Sequence, residues 1–393
     1  MPRHIAFVAA ALAAVAGLAV SAATASSHRK AVHSVLIGIQ DDANTLYGDP
    51  GMTFPVLQQL RPQVLRVNMI WGGGAYAVAK SKPANPANPA DPAYDWALYD
   101  RVDRYASQYG IKLMFTIIFT PSWANGGASR IHAPTTTAGW NALHDFAYAA
   151  AKRYSGSYVP PSDEQSVDGS ATPLPAVRLW TAWNEPNNPI WLAPQWRGNT
   201  IVSAQNYVKI CNSIYGGVHA TGLGSEKVAC GVTGPRGNDA PRSARPSVDP
   251  MAFMRALKRY GLKRFDVYAH NPYYGSPRET PSFRPPGTAT VELGNINILL
   301  AQLSRLWGPK HLWITEYAYQ TTPQDKFFGV TWAKQALYLK QAFAIARANP
   351  RIDAFVWFML KDDTNISQGW QSGLLTAAWK RKPAFFAFQR LPR

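Results

Sequence analysis

Cysteine is nearly absent. The 393-residue chain holds two, Cys211 and Cys230, which in an exported protein are either bridged to each other or left as two buried thiols. The eight histidines show no metal-ligand spacing, and no GxSxG, Walker loop, GxGxxG or HExxH occurs. Serine-elbow hydrolysis, P-loop chemistry, dinucleotide binding and zincin chemistry therefore have no anchor, and neither cofactor nor metal is expected. Acidic residues are also scarce: 23 Asp and Glu face 40 Lys and Arg, a formal charge of +17. The basic residues are scattered, apart from short groups such as His28-Arg29-Lys30 and Lys380-Arg381-Lys382. Scatter favours a solvated basic surface and argues against nucleic acid, while attraction to an acidic polysaccharide stays open.

Long apolar runs are missing beyond residues 5–20. Sixteen residues fall short of the roughly 20 that span a bilayer. Arg3 precedes this run and Ala23-Thr24-Ala25 follows it, the pattern of a cleaved secretory signal over residues 1–25. No Cys follows as a lipid-attachment point. The expectation is an extracellular protein, free of the membrane after cleavage, with residues 26–393 forming one domain.

What is present is an alternation of short apolar runs with longer amphipathic ones, eight times over. The strand candidates are 35–42, 64–71, 112–123, 177–184, 227–233, 265–273, 311–319 and 354–361. Near-continuous apolar character suits parallel strands buried on both faces. In 94–109, Leu98, Val102, Tyr105 and Tyr109 fall on one helical face and Gly110 follows as a stop; 331–349 repeats the pattern, and Pro383 opens a last helix. Eight strand–helix units predict an α/β fold, a (β/α)8 TIM barrel. The segment KPANPANPADP (82–92) reads as a loop following strand two rather than a domain linker.

Active sites of such barrels form at the C-terminal strand ends. Glu185, in RLWTAWNEPN, stands at the end of strand four, and Glu316, in LWITEYAYQT, near the end of strand seven. Strands four and seven lie across the barrel, so two carboxylates there can face a substrate from either side. Glycoside hydrolysis needs such a pair, one protonated acid and one carboxylate. Arg66, in VLRVNMIW, is expected to find an anionic partner, because a buried arginine on a barrel strand requires one. The chain also carries 14 Trp, 18 Tyr and 16 Phe, rings that stack on the C–H faces of sugars.

Strand four ending in Trp183-Asn184-Glu185-Pro186-Asn187, with Thr315-Glu316 on strand seven, resembles the glycoside hydrolases of clan A. The stretch is most similar to family 39, with family 5 further away, and the closing SGLL…KPAFFAF also fits. The resemblance implies a retaining β-glycosidase acting on an oligo- or polysaccharide, acidic ones included, with Glu185 as acid/base and Glu316 as nucleophile. In a retaining site the carboxyl groups stand about 5–5.5 Å apart. It further implies that Asn184 meets the sugar 2-hydroxyl, that Arg66 holds the nucleophile ionised, and that Trp357 stacks on sugar, a core tryptophan being the alternative. Trp123, in TPSWAN, is a comparable platform, and Trp191 and Trp196 are candidates for an adjoining subsite. Strand six departs from the clan's spacing: in His270-Asn271-Pro272-Tyr273-Tyr274 one residue is extra, so His270 is a candidate to orient the acid or bind sugar, and either tyrosine can be the one that reaches Glu316. Asp41-Asp42 and Asp362-Asp363 are read as loop caps or sugar-hydroxyl acceptors. The rival expectation is a barrel that binds polysaccharide without cleaving it. The cleft walls fall to loops 124–139, 186–200, 234–249, 274–288 and 361–382.

Overall fold

The computed structural model describes residues 33–161, 172–367 and 369–393; the expected signal segment, 1–25, lies outside them. Eight parallel strands close into a barrel: β1 (Leu36–Gln40), β2 (Val64–Ile70), β3 (Lys112–Ile118), β4 (Leu179–Ala182), β5 (Lys227–Thr233), β6 (Val267–His270), β7 (Leu312–Tyr317) and β8 (Ile352–Phe358), which pairs back onto β1. A helix of at least seven residues follows each strand: α1 (Pro50–Leu60), α2 (Ala97–Gln108), α3 (Thr137–Arg153), α4 (Val202–His219), α5 (Pro250–Arg259), α6 (Ile296–Trp307), α7 (Trp332–Ala348) and α8 (Pro383–Gln389), with a further single turn of α-helix at Asp42–Thr45. This is the (β/α)8 barrel that the alternation predicts.

The helix starts follow from local chemistry. Thr136 and Asp249 cap α3 and α5 by accepting from the N–H groups of Gly139 and Ala252, and Thr331 caps α7 through Lys334. Pro383 occupies the first turn of α8, where a missing N–H costs nothing. The helix expected over 94–109 starts later, at Ala97, because the Trp96 indole donates to the Pro89 carbonyl at 2.9 Å and belongs to the proline-rich loop.

Seven strands end before their expected C-terminal bounds, and three of them, β3, β6 and β8, by three residues or more. β3 stops at Ile118 because Phe119 turns into left-handed space at φ 68°. β6 stops at His270 rather than 273, and β8 at Phe358 rather than 361. These residues are released into the barrel mouth. Val64, Met114, Ala229, Val232, Val267, Ala269, Trp313, Ala354 and Val356 form a buried cluster from six strands that fills the barrel interior. A larger apolar layer packs the outward strand faces against the helices. There Cys230 of β5 and Cys211 of α4 form a disulfide, their Cα atoms 6.0 Å apart, so of the two readings open in the sequence the bridge is the one observed.

Asp103 of α2 is a misfit in this layer. It is buried, one carboxylate oxygen has no partner, and burial pushes its pKa up to about 8. A carboxyl group whose pKa is raised on folding stabilises the fold fully below its unfolded value, about 3.9, and loses that contribution as pH climbs through the folded value. In urea unfolding, Asp103→Asn is therefore expected to gain on wild type progressively between about pH 4 and 8. A pH-independent difference would refute this origin.

Candidate active site

The mouth of the barrel holds a cleft of about 890 Å³, lined by Glu185, Glu316, Tyr273 and residues from the β1, β5, β7 and β8 ends. β4 and β7 are three strands apart one way round and five the other, so their carboxylates face each other across part of the mouth rather than its full diameter.

Glu185 is carried beyond its strand. β4 ends at Ala182, and both Trp183 (φ 68°) and Glu185 (φ 35°) adopt left-handed backbone, a conformation costing about 1–3 kcal/mol for a residue other than glycine. The turn is held from both sides. Glu185 N donates to the Val232 carbonyl at 2.8 Å, and its own carbonyl accepts from Asn188 N at 2.9 Å. Buried Asn187 bonds both N–H and C=O of Gly234, locking the turn to the end of β5. The carboxylate then receives Asn271 Nδ2 and Asn188 Nδ2, each at 3.1 Å.

Glu316 stays on its strand. Between β7 and β8 the register shifts, so that Ile314 and Tyr317 pair with Phe355 and Trp357, and β7 carries one extra residue. Such a bulge re-aims side chains, and both Thr315 and Glu316 reach groups at the mouth. The Arg66 guanidinium lies 2.5 Å from Glu316 Oε1, and the Tyr273 hydroxyl donates to Oε2 at 3.1 Å. Tyr273 is thus the tyrosine that reaches Glu316. The extra residue of this segment is absorbed by a tight turn in which Tyr273 N donates to the Asn271 carbonyl at 2.9 Å around Pro272. Tyr274 bonds Phe328 O instead.

Arg66 has no exposed surface. Besides Glu316 it donates to Thr116 Oγ1 at 3.0 Å, to Gln40 Oε1 and to Asn184 Oδ1 at 3.0 Å. Asn184 Oδ1 also accepts from Asn271 at 3.4 Å, which fixes the amide orientation and leaves Nδ2 without a partner among the described residues.

Two identical side chains therefore sit in unlike fields. Burial first, and the Glu316 charge second, push Glu185 up to about 7; its direct partners are neutral amides. Glu316 is paired with a guanidinium. Three expected contacts are corrected. His270 is fully buried, with Nδ1 on Thr233 Oγ1 (2.8 Å) and Nε2 on the Val291 carbonyl (3.0 Å), so neither nitrogen meets the cleft; burial lowers its pKa to about 4 and keeps it neutral. Trp357 is a core side chain whose indole donates to Ser372 O at 3.1 Å. Trp123 stands edge-on to Trp71 and does not line the cleft.

The cleft's aromatic lining comes instead from Phe358, Trp370, Tyr273, Tyr274, Phe328 and Trp191. Trp370 packs 5.4 Å from both Tyr273 and Phe358, and Trp191 stacks on Phe119 at 5.9 Å. Trp196 donates to Ser247 O, joining two loops. Asn271, Asn68 and Asn188 are site residues that the motifs did not single out; the first two lie within the quoted segments, one and two residues from His270 and Arg66, and Asn188 stands three residues past Glu185. Asp42 accepts from Asn68 N at 3.2 Å and Nδ2 at 2.8 Å, and Asn68 Oδ1 is buried without a partner. Asp41 and Asp362 are committed to Asn44 and to the buried Lys382. No cluster that could hold a metal is found among the described residues.

The chain is similar to the solved structure of a family 39 glycoside hydrolase from the gut symbiont Bacteroides cellulosilyticus WH2, at 17% identity and a TM-score of 0.61, over 91% of this chain and 63% of that one. It is also similar to a glucosidase from Croceicoccus marinus (15%, TM-score 0.63, 91% and 67%). A third likeness is to TsXylA, an intracellular xylanase from Thermoanaerobacterium saccharolyticum (16%, TM-score 0.53, 90% and 95%). The chain thus spans just under two thirds of the first of these proteins. At such identities the likeness is one of fold. No protein-family model matches the sequence, and no curated protein matches it.

If the Glu316 anion contributes to the elevation of Glu185, Glu316→Gln should lower the Glu185 pKa, leaving it above the ordinary carboxyl value because burial persists. Carboxyl 13C NMR titration of the two proteins reads this directly; an unchanged midpoint would show the two carboxylates to be electrostatically independent.

Proposed function

We propose that the protein is a secreted, cofactor-independent retaining β-glycosidase, with Glu185 as acid/base and Glu316 as nucleophile. The observation that carries this reading is the unlike environment of two glutamates in one cleft: one among neutral amides and protonated up to about 7, the other paired with Arg66. A pair of carboxyls driven apart in this way is the arrangement that acid/base and nucleophilic roles require. The glycoside hydrolase, glucosidase and xylanase barrels of similar fold support it. Export rests on residues 1–25.

In the first step a Glu316 carboxylate oxygen bonds the anomeric carbon. The bond to the leaving oxygen breaks, and that oxygen takes the proton of Glu185. The resulting ester removes the Glu316 charge, one of the causes holding the Glu185 pKa up. Glu185, now ionised, takes a proton from water as the water oxygen displaces Glu316 from the anomeric carbon. Asn184 Nδ2 is available for the 2-hydroxyl, and Asp42 and Asn68 for other hydroxyls of the same sugar. Tyr273 and Arg66 hold the nucleophile.

Hydrolysis of aryl β-glycosides and β-glycans, followed by NMR, is expected to give the β-anomer first; an inverted product overturns the mechanism. Glu316→Gln should abolish turnover while sugar binding persists, and Glu185→Gln should lower kcat by about 10²–10⁴-fold. A wild type that binds a β-glycan tightly and cleaves none supports the binding-only barrel instead. Because Glu185 must be protonated, kcat/KM should fall as pH rises through about 7, and a flat profile to pH 9 would remove Glu185 from the acid role.

A further inference from the structure

The cleft is electrostatically lopsided. Its β1, β2 and β8 ends present Asp42, Asn68 and Asp363 with one cation, Lys361, whose ammonium lies over the Trp379 ring and whose charge acts on Asp41 and Asp362. The loop after β5 presents arginines. Arg236 is already engaged, with Glu292 at 2.9 Å and the Tyr273 carbonyl at 3.0 Å. Arg245 is exposed, lines the same cleft, and has no ion pair among the described residues. The loop's own acids are used elsewhere: Asp239 accepts from Asp249 N at 2.8 Å, and Asp249 caps α5 through Ala252 N at 2.7 Å.

Arg245 is also held in place. The Asn238 amide donates to its carbonyl at 3.0 Å and accepts from Ser247 N at 3.0 Å, closing the loop across its base. That base abuts the acid: a Cβ built on Gly234 would stand 3.0 Å from the Glu185 carboxylate. An acid/base protonates the leaving oxygen, so the leaving sugar lies on the Glu185 side, beneath this loop. The sugar attacked lies toward Glu316, where acceptors await neutral hydroxyls and would repel a carboxylate.

We infer that the substrate is an anionic glycan cleaved with polarity: a neutral sugar at the Glu316 end, and a carboxylate-bearing leaving unit recognised by Arg245. This deepens the glycosidase reading and rests on it. An arginine fork matches a carboxylate in two-point geometry, and a cationic wall also draws such a chain from solution.

Two measurements test this. The first compares kcat/KM for 4-carboxyphenyl β-glycosides of neutral sugars with that for their methyl esters. Wild type should favour the carboxylate, and Arg245→Ala should reduce that ratio about fivefold, with partial rescue in Arg245→Lys and loss at 0.5 M salt. An unchanged ratio in Arg245→Ala overturns the inference. The second needs no turnover: the Glu316→Gln protein is titrated with β-glucosyl-(1→4)-glucuronic acid, whose glucose is neutral and whose leaving-side unit bears the carboxylate, and with cellobiose, which differs only at C6 of that unit. Preference for the acidic disaccharide that vanishes with Arg245→Ala upholds anion recognition even if no glycoside is cleaved, in which case it is the hydrolytic reading that falls. Equal affinity for both disaccharides, or a preference indifferent to Arg245, overturns the inference while leaving hydrolysis untouched.

Discussion

A guanidinium with no exposed surface, set at the mouth of a parallel barrel, has to be neutralised and saturated with acceptors. Arg66 meets both demands with groups from strand after strand: Gln40 at the end of β1, Thr116 on β3, Asn184 past β4 and Glu316 on β7. Thr116 in turn meets Thr181 of β4 at 2.6 Å. One cation thus ties together five strands' worth of mouth. Deleting it would strand Glu316 as a buried charge, a defect of about 3–5 kcal/mol in comparable pairs. The same bonds orient Asn184 and set a positive charge against Glu316, so the charge balance of the fold and the layout of the cleft are one arrangement.

Around that centre the backbone departs from regularity where side chains must be aimed. Phe119, Trp183, Glu185 and Val232 all take positive φ without being glycine, and all lie at the C-terminal ends of β3, β4 or β5. β5 gains an extra residue against β6 between Cys230 and Thr233, and β7 one against β8 beside Glu316. A regular strand alternates its side chains, so adjacent residues cannot both face the axis. Bulges and left-handed turns lift that restriction. They let Thr315 and Glu316 act together, and let Glu185 overhang the mouth while Glu316 remains within the sheet.

This irregularity also explains what could be read from the amino acids and what could not. Strand and helix positions follow from apolar period and capping chemistry, and both glutamates follow from the rule that barrel sites sit at strand ends. The expected sugar contacts went astray where a one-residue shift decides which face a side chain occupies. On β8 it is Phe358 and not Trp357 that lines the cleft; just past β6 it is Asn271 and not His270 that bonds Glu185. Asn271 bonds Glu185, Asn184 and Thr315 at once, a role set by tertiary geometry that no spacing within the segment announces. Tyr273 regains the cleft only because the Asn271–Pro272–Tyr273 turn folds it back.

The roles of the two carboxylates belong to the same category. Nothing in the side chain distinguishes one glutamate from another. Glu316, on a strand within reach of a buried cation, is paired with the Arg66 guanidinium. Glu185, displaced by three residues beyond its strand, gathers neutral amides and feels its neighbour's charge. The left-handed turn that moves it there also presses it against Gly234, at the root of the loop bearing Arg245. On the proposed reading, the displacement that sets Glu185 among amides is therefore also what determines which side of the cleft the leaving unit would occupy, and with it which charge that unit would meet.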